Sequence, residues 1–294
     1  MAKDNNAMLL QTENEKNAGG IKARRVVAYI VLSLICFICL FWFVILFINA
    51  TRSHGELTKG FTLLPSKYLF YNFKNLVNGT LPIWSGLLNS IIISTACAVL
   101  CTYFSTMTAY AIHAYDFKLK QFVFTFILMV MTIPTQVVAL GFIKMMMDWK
   151  WNNTFLPLII PSVAAPVTFF YMKQYMDSTL PLSIIEAARI DGSGEFRTFN
   201  TIVLPMMKPA IAVQAIFTFV SNWNNYFTPA LILTKDKVKT LPILIAQLRG
   251  ADFLKFDMGQ VYVMIAFSIF PVIIVYLCLS KFIVQGIALG SVKG

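Results

Sequence analysis

Six apolar runs, at about residues 26–49, 87–112, 122–143, 155–171, 210–233 and 258–280, constrain this chain more than any other feature. At about 1.5 Å of rise per residue, a helix of such length crosses, or nearly crosses, the roughly 30 Å hydrocarbon core of a bilayer. The pattern predicts an all-α membrane protein with six transmembrane helices. Composition agrees: 58% of the 294 residues are hydrophobic and only 13% charged, far from the balance of a soluble domain.

The first run follows Lys22, Arg24 and Arg25. It is too long for a signal peptide, and Phe47-Ile-Asn-Ala50 is a poor cleavage site, so it is expected to remain as an anchor. Residues 1–25 are polar and lack apolar periodicity, which predicts a mobile tail on the cytoplasmic side. Residues 50–85 mix polar and aromatic side chains, predicting an extracytoplasmic segment with a short interfacial helix and a turn near Asn78-Gly79. Pro134, Pro157, Pro161 and Pro229 fall in or beside later runs, where each removes a backbone bond and kinks its helix.

Several chemistries find no support. The net charge of +11 is spread over every loop without a basic stripe, which excludes a nucleic-acid surface and leaves anionic lipid as the natural counter-charge. Cys36, Cys39, Cys97, Cys101 and Cys278 all lie in apolar runs, so Cys36-x-x-Cys39 is read as two small apolar side chains. His54 and His113 stand apart, without a ligand cluster, so neither a metal site nor a catalytic group is expected. The six runs hold no Asp, Glu, Lys, Arg or His at depth, against a proton relay. Gly55-Glu-Leu-Thr-Lys-Gly60-Phe61 has the glycine spacing of a phosphate loop but Phe where its Lys is required. Such a chain cannot energise itself.

The longest charged island between apolar runs spans 186–205. Ser183 stands three residues before Glu186, a Ser-x-x-Glu spacing that predicts a capping box opening a short helix, with Pro181 just outside it. Ala187 and Ala188 give that helix a small face for close approach. Asp191-Gly192-Ser193-Gly194 supplies a left-handed turn. Phe196, Phe199, Ile202 and Val203 then recur at helical spacing and lead into Leu204-Pro205. A short, small-faced helix turned at glycine on a membrane surface is a docking device.

Glu186-Ala187-Ala188, three residues, Gly192, nine residues, Ile202, one residue, Leu204-Pro205 resembles the cytoplasmic coupling loop of binding-protein-dependent ABC importer permeases. Glu186-Ala-Ala-Arg-Ile-Asp-Gly192 and the Gly290-Ser-Val-Lys-Gly294 end are similar to the maltose and multiple-sugar branch, in particular the second permease of the pair. The resemblance covers roughly residues 85–294; where relatives commonly carry a Glu ahead of the motif, this chain has Leu182-Ser-Ile-Ile185. It implies a type I importer transmembrane domain, with a core permease over 86–294 and a coupling loop at about 178–208. It also implies a homologous permease, two ATPase subunits or domains that hold the ATP and Mg, an extracytoplasmic solute-binding protein and a sugar cargo. The setting implied is a prokaryotic cell membrane with both termini cytoplasmic. Lys and Arg divide almost evenly between the two sides, so sidedness rests on the resemblance.

Under that reading Glu186 to Asp191 inserts into a cleft on the ATPase, and ATP-driven closure moves the attached spans. Glu186 caps its own helix, meets a basic residue on the ATPase, or does both; Arg189 and Arg197 are read as solvated or lipid-facing. Ser221-Asn222-Trp223-Asn224-Asn225-Tyr226 is the candidate substrate path, because amides beside aromatic faces suit a sugar, with helix-to-helix hydrogen bonding as the alternative. The loop 234–257 resembles the external segment that meets a binding protein.

Overall fold

The computed structural model describes the backbone of residues 2–251 and 256–291, and the side chains of residues 24–251 and 256–282 except Thr135. Helix α1 (Ala2–Ala50) carries the first apolar run and packs along the last helix of the chain. The stretch expected as a mobile tail forms the start of α1, and its side chains, apart from those of Arg24 and Arg25, lie outside the described residues, as do residues 292–294 of the Gly290–Gly294 end.

The following segment folds back on itself through hydrogen bonds. Buried Arg52 donates to the Asn49 side chain at 3.4 Å and to the carbonyls of Glu56 and Gly60 at 2.5 and 3.1 Å. Asn72, on α2 (Leu69–Val77), donates to the carbonyls of Ala50 and Arg52 at 3.1 and 2.8 Å. The glycine-spaced stretch near Gly55 is a single helical turn, His54–Leu57, closed by reciprocal capping between Ser53 and Glu56.

Helix α3 (Ile83–Ala114) is the axis of the bundle. Ser90, Ser94, Cys97, Cys101, Ser105 and Ala109 fall three or four residues apart and are all buried, so its small face admits neighbouring backbones closely. Thr102 and Thr106 return their hydroxyls to carbonyls one turn back, at 2.8 and 2.6 Å, which keeps the polar atoms paired. All five cysteines are free thiols.

Among the described residues, four helical stretches are long and apolar enough to cross a membrane: Arg24–Ala50, Ile83–Ala114, Leu156–Thr179 and Met258–Phe282. A fifth exists if Glu195–Met206 and Lys208–Trp223, bent by 80°, count as one span. The third apolar run accounts for the difference from the expected six. It divides into α4 (Lys120–Val130) and α5 (Thr135–Asp148), each too short alone, because Pro134 lacks an N–H and pushes Ile133 out of helical geometry. The fourth run starts with two irregular turns over Leu156–Val163, at Pro157 and Pro161, before α6 (Pro166–Thr179).

The other helices of eight or more residues among those described are α7 (Leu182–Ile190), α8 (Lys208–Trp223), α9 (Leu241–Arg249) and α10 (Met258–Ser291). α6 and α8 pack on α3, and α10 packs on α8. Near the start of α3, Asn89 donates to the carbonyls of Lys237 and Lys239, both at 2.9 Å, and Ser90 accepts the Leu241 N–H at 2.8 Å. Near its end, Tyr110 donates to Glu195 at 2.8 Å. Asn89 and Tyr110 are about 30 Å apart along the helix, the thickness of a hydrocarbon core. The loop before α9 and the loop around α7 therefore occupy opposite ends of the bundle.

Candidate functional site

Helix α7 opens at Pro181, whose extended backbone (φ −64°, ψ 138°) occupies the capping position, and no side chain caps it. Ser183 already lies inside the first turn. The expected Ser183–Glu186 capping box is therefore not formed, because proline sets the boundary ahead of the serine. Glu186 is exposed and makes no hydrogen bond or ion pair among the described residues, so self-capping is not its role.

The two faces of α7 differ sharply. Ile185 is buried in an apolar cluster with Met172 and Met176 of α6 and with Phe199, Val203 and Met207, and Ala188 is buried as well. Leu182, Glu186, Ala187 and Ile190 are exposed, Ile190 at 86%. Of the two alanines, Ala188 serves close approach within the chain, and Ala187 alone faces outward.

Glycine at position 192 is required by the backbone. Gly192 has φ +75°, its N–H bonds the Arg189 carbonyl at 3.0 Å, and the Ser193 N–H bonds the Ala188 carbonyl at 2.9 Å. This paired closure is the Schellman motif, with glycine in the left-handed position just after the helix and Asp191, exposed, as the last half-helical residue.

Glu195 ties the loop to α3. It accepts from Tyr110 at 2.8 Å and from Arg189 at 2.7 Å, and the Arg189 guanidinium lies 5.2 Å from the Tyr115 ring centre. Arg189 is thus paired, contrary to the expectation of a solvated or lipid-facing side chain; the partner arrives through the Gly192 turn. Chiefly the Arg189 hydrogen bond, with the two tyrosine hydroxyls, holds the Glu195 carboxyl down at about 2. Arg197 is exposed and has no ion pair among the described residues.

Beyond Glu195 the helix widens into a π turn over Phe199–Val203, with Ile202 half-buried, and tightens at Leu204–Met206. Leu204 packs partly against the α7 cluster, and Pro205 is exposed. At Met207 the chain breaks direction, and α8 departs at 80°. Pro205 and Pro209, flanking Met207, remove N–H groups that a continuous helix would use.

Helix α8 leads into a cleft of about 650 Å³ between α3, α5, α6 and α8. Asn222 and Asn225 line it, as do Gln214, Thr218 and Ser221. Val138 and Phe142 form an apolar wall, and Ser162 and Thr168 add hydroxyls. No ionisable side chain other than the Cys101 thiol is among its lining residues.

Three of the expected path residues stand elsewhere. Trp223 is buried in the core, stacks on Phe219 at 5.7 Å and donates its indole N–H to the Ser268 carbonyl at 3.1 Å, so it is a strut between α8 and α10. Asn224 is exposed outside the cleft, and Tyr226 borders a separate recess of about 380 Å³ with Thr234, Lys239 and Gln247. Gln214 is the lining residue that sequence reasoning passed over. Its signal was spacing: 214, 218, 221 and 222 fall on one helical face.

A bundle of membrane-length helices around a polar-striped cleft, with a capped surface helix at one end, defines a multi-pass subunit of a membrane transport system. More specifically, the chain belongs to the family of binding-protein-dependent transport system inner membrane components, whose sequence profile matches residues 102–289. It is 32% identical to the arabinooligosaccharides transport system permease protein AraQ of Halalkalibacterium halodurans over 89% of this chain and 94% of that one. It is 29% identical to the melibiose/raffinose/stachyose import permease protein MelC of Bacillus subtilis over 86% and 91% of the two chains. A chain of a bacterial ABC transporter involved in import of the acidic polysaccharide alginate has the same fold, with a TM-score of 0.74 at 22% identity, over 87% of this chain and 95% of that one.

Proposed function

We propose that this chain is one of two permease subunits of an ATP-driven importer for neutral oligosaccharides. It works beside a homologous permease, two ATPase subunits that hold the ATP and Mg, and an extracytoplasmic binding protein that delivers the cargo. Both termini and the α7 loop face the cytoplasm.

The observation that carries this reading is the split character of α7. Its inner face is locked into the cluster shared by α3, α6 and the π turn, so displacement of the loop displaces those helices. Its outer face, with Glu186, Ala187, Ile190 and the neighbouring Phe196, presents a small, partly apolar relief with one unpaired carboxylate. An ATPase cleft with a basic residue at its edge would receive it, and closure of the ATPase pair would move the bundle as a body.

A cargo with hydroxyls and no charge fits the cleft. Its polar groups are amides and hydroxyls on apolar walls, the chemistry that meets sugar hydroxyls and C–H faces. A phosphorylated cargo also has a relative in its favour, the sn-glycerol-3-phosphate permease UgpE of Salmonella typhi at 30% identity over 77% of this chain and 82% of that one. The absence of a cationic side chain from the cleft lining argues for the neutral class.

The test is purification of the tagged chain in mild detergent, identification of co-purifying chains, and measurement of ATP hydrolysis with sugar and binding protein. Co-purification of an ATPase and a second permease, with sugar-stimulated hydrolysis, is expected. Transport by the purified chain alone in ATP-free liposomes would overturn the proposal.

A further inference from the structure

We infer that Gln214 is a specificity-determining residue of the cleft, its carboxamide reading a hydroxyl of the passing cargo; this rests on the carbohydrate reading above. Gln214 is only 7% exposed, yet it makes no hydrogen bond among the described residues. The residue borders the cleft, so a carboxamide that pairs with nothing in the chain is available there to a ligand or to water. The neighbouring polar groups are already engaged: Asn222 donates to the Thr218 carbonyl at 2.9 Å, the Thr218 hydroxyl lies 3.6 Å from the Cys101 sulfur, and Thr168 accepts from Cys101 at 3.2 Å. Gln214, like Ser221 and Asn225 nearer the mouth, keeps its side chain free of such bonds among the described residues, and of the three it alone is buried.

Its position adds to the argument. Gln214 lies two turns of α8 deeper than Asn222, on the same face, and Asn225 follows just past the helix end, so the polar stripe runs along the cleft. A sugar moving inward would exchange one amide for the next. A carboxamide both donates and accepts, which suits a hydroxyl, and a site built around such a bond discriminates strongly against cargo that cannot make it.

The complete importer, with its second permease, ATPase and binding protein, is reconstituted with Gln214, Gln214→Met or Gln214→Asn, and uptake of arabinotriose, raffinose and trehalose is compared. Methionine keeps length and apolar volume while deleting the amide, and asparagine draws the amide back by one methylene. Intact assembly is expected for both variants. The methionine variant should lose about tenfold in uptake of the preferred sugar at subsaturating concentration, and both variants should change the ratio among the three sugars. An equal loss for all three sugars, unchanged uptake, or separation of the two permeases on purification would overturn the inference, the last pointing to an interface hydrogen bond. Failure of the unaltered importer to take up any of the three would instead overturn the carbohydrate reading, and this inference with it.

Discussion

Replacing Gly192 with alanine tests whether the left-handed turn limits coupling. A Cβ at Gly192 meets no atom within 4 Å in the chain, so the whole intrinsic penalty is conformational. An L-residue held at φ +75° costs about 1–2 kcal/mol relative to glycine. In the free permease the loop escapes part of that cost by opening the closure that the Gly192 and Ser193 N–H bonds make at the end of α7. A docked loop has no such freedom. The strain therefore falls on docking, and the ATPase concentration needed for half-maximal stimulation should rise about 5- to 30-fold. Asparagine tolerates the left-handed region far better than alanine, so Gly192→Asn should recover most of the loss. The assay titrates ATPase subunit against a fixed amount of permease and reads binding-protein-stimulated hydrolysis. An alanine variant equal to the wild type, or an asparagine variant no better than alanine, would refute the reasoning.

Three further outcomes are expected. Glu195→Gln should loosen the loop by about 1 kcal/mol, a figure discounted because the Glu195 and Arg189 side chains are 41% and 37% exposed, and thermal unfolding of the purified permease reads the change. Since the Glu195 carboxyl titrates at about 2 in the fold, below its ordinary value of 4.5, its contribution is fully present above pH about 4.5 and is lost as pH falls toward 2, so the Gln variant and wild type should converge at the acid end. Gly259→Ala should lower the yield of folded protein, because its Cβ would lie 2.7 Å from the Asn72 Nδ2 and 2.9 Å from the Arg52 carbonyl oxygen, an overpacking worth about 1–3 kcal/mol; fluorescence-detected gel filtration measures it. Trp223→Phe should cost about 1 kcal/mol of stability through the lost Ser268 hydrogen bond while leaving the order of preferred sugars unchanged, as competition uptake would reveal.

The loop was legible because its demands are local. A left-handed residue after a short helix asks for glycine, and Gly192 stands where the motif requires it. Partnership across the turn was not legible: nothing in the order Arg189, Gly192, Glu195 says that the guanidinium swings back over Tyr115 to reach the carboxylate. The capping box failed for a related reason, since a proline two residues ahead decided where α7 begins. Run length gave no sign of the break at Pro134, because hydropathy averages over an interruption that backbone chemistry enforces. In the cleft, the amides of Asn222 and Asn225 announced themselves as a cluster, whereas Gln214 stood alone in an apolar run and gained meaning only once α8 was wound and placed against α3 and α6.

The 80° corner at Met207 turns the loop and α8 into a crank. α8 is 16 residues long, about 24 Å from corner to tip, so a swing of about 10° at the corner carries the tip through about 4 Å. That stroke is wider than a hydrogen bond is long. A small nudge at the membrane surface would thus be enough to reshape the cleft wall at Asn222.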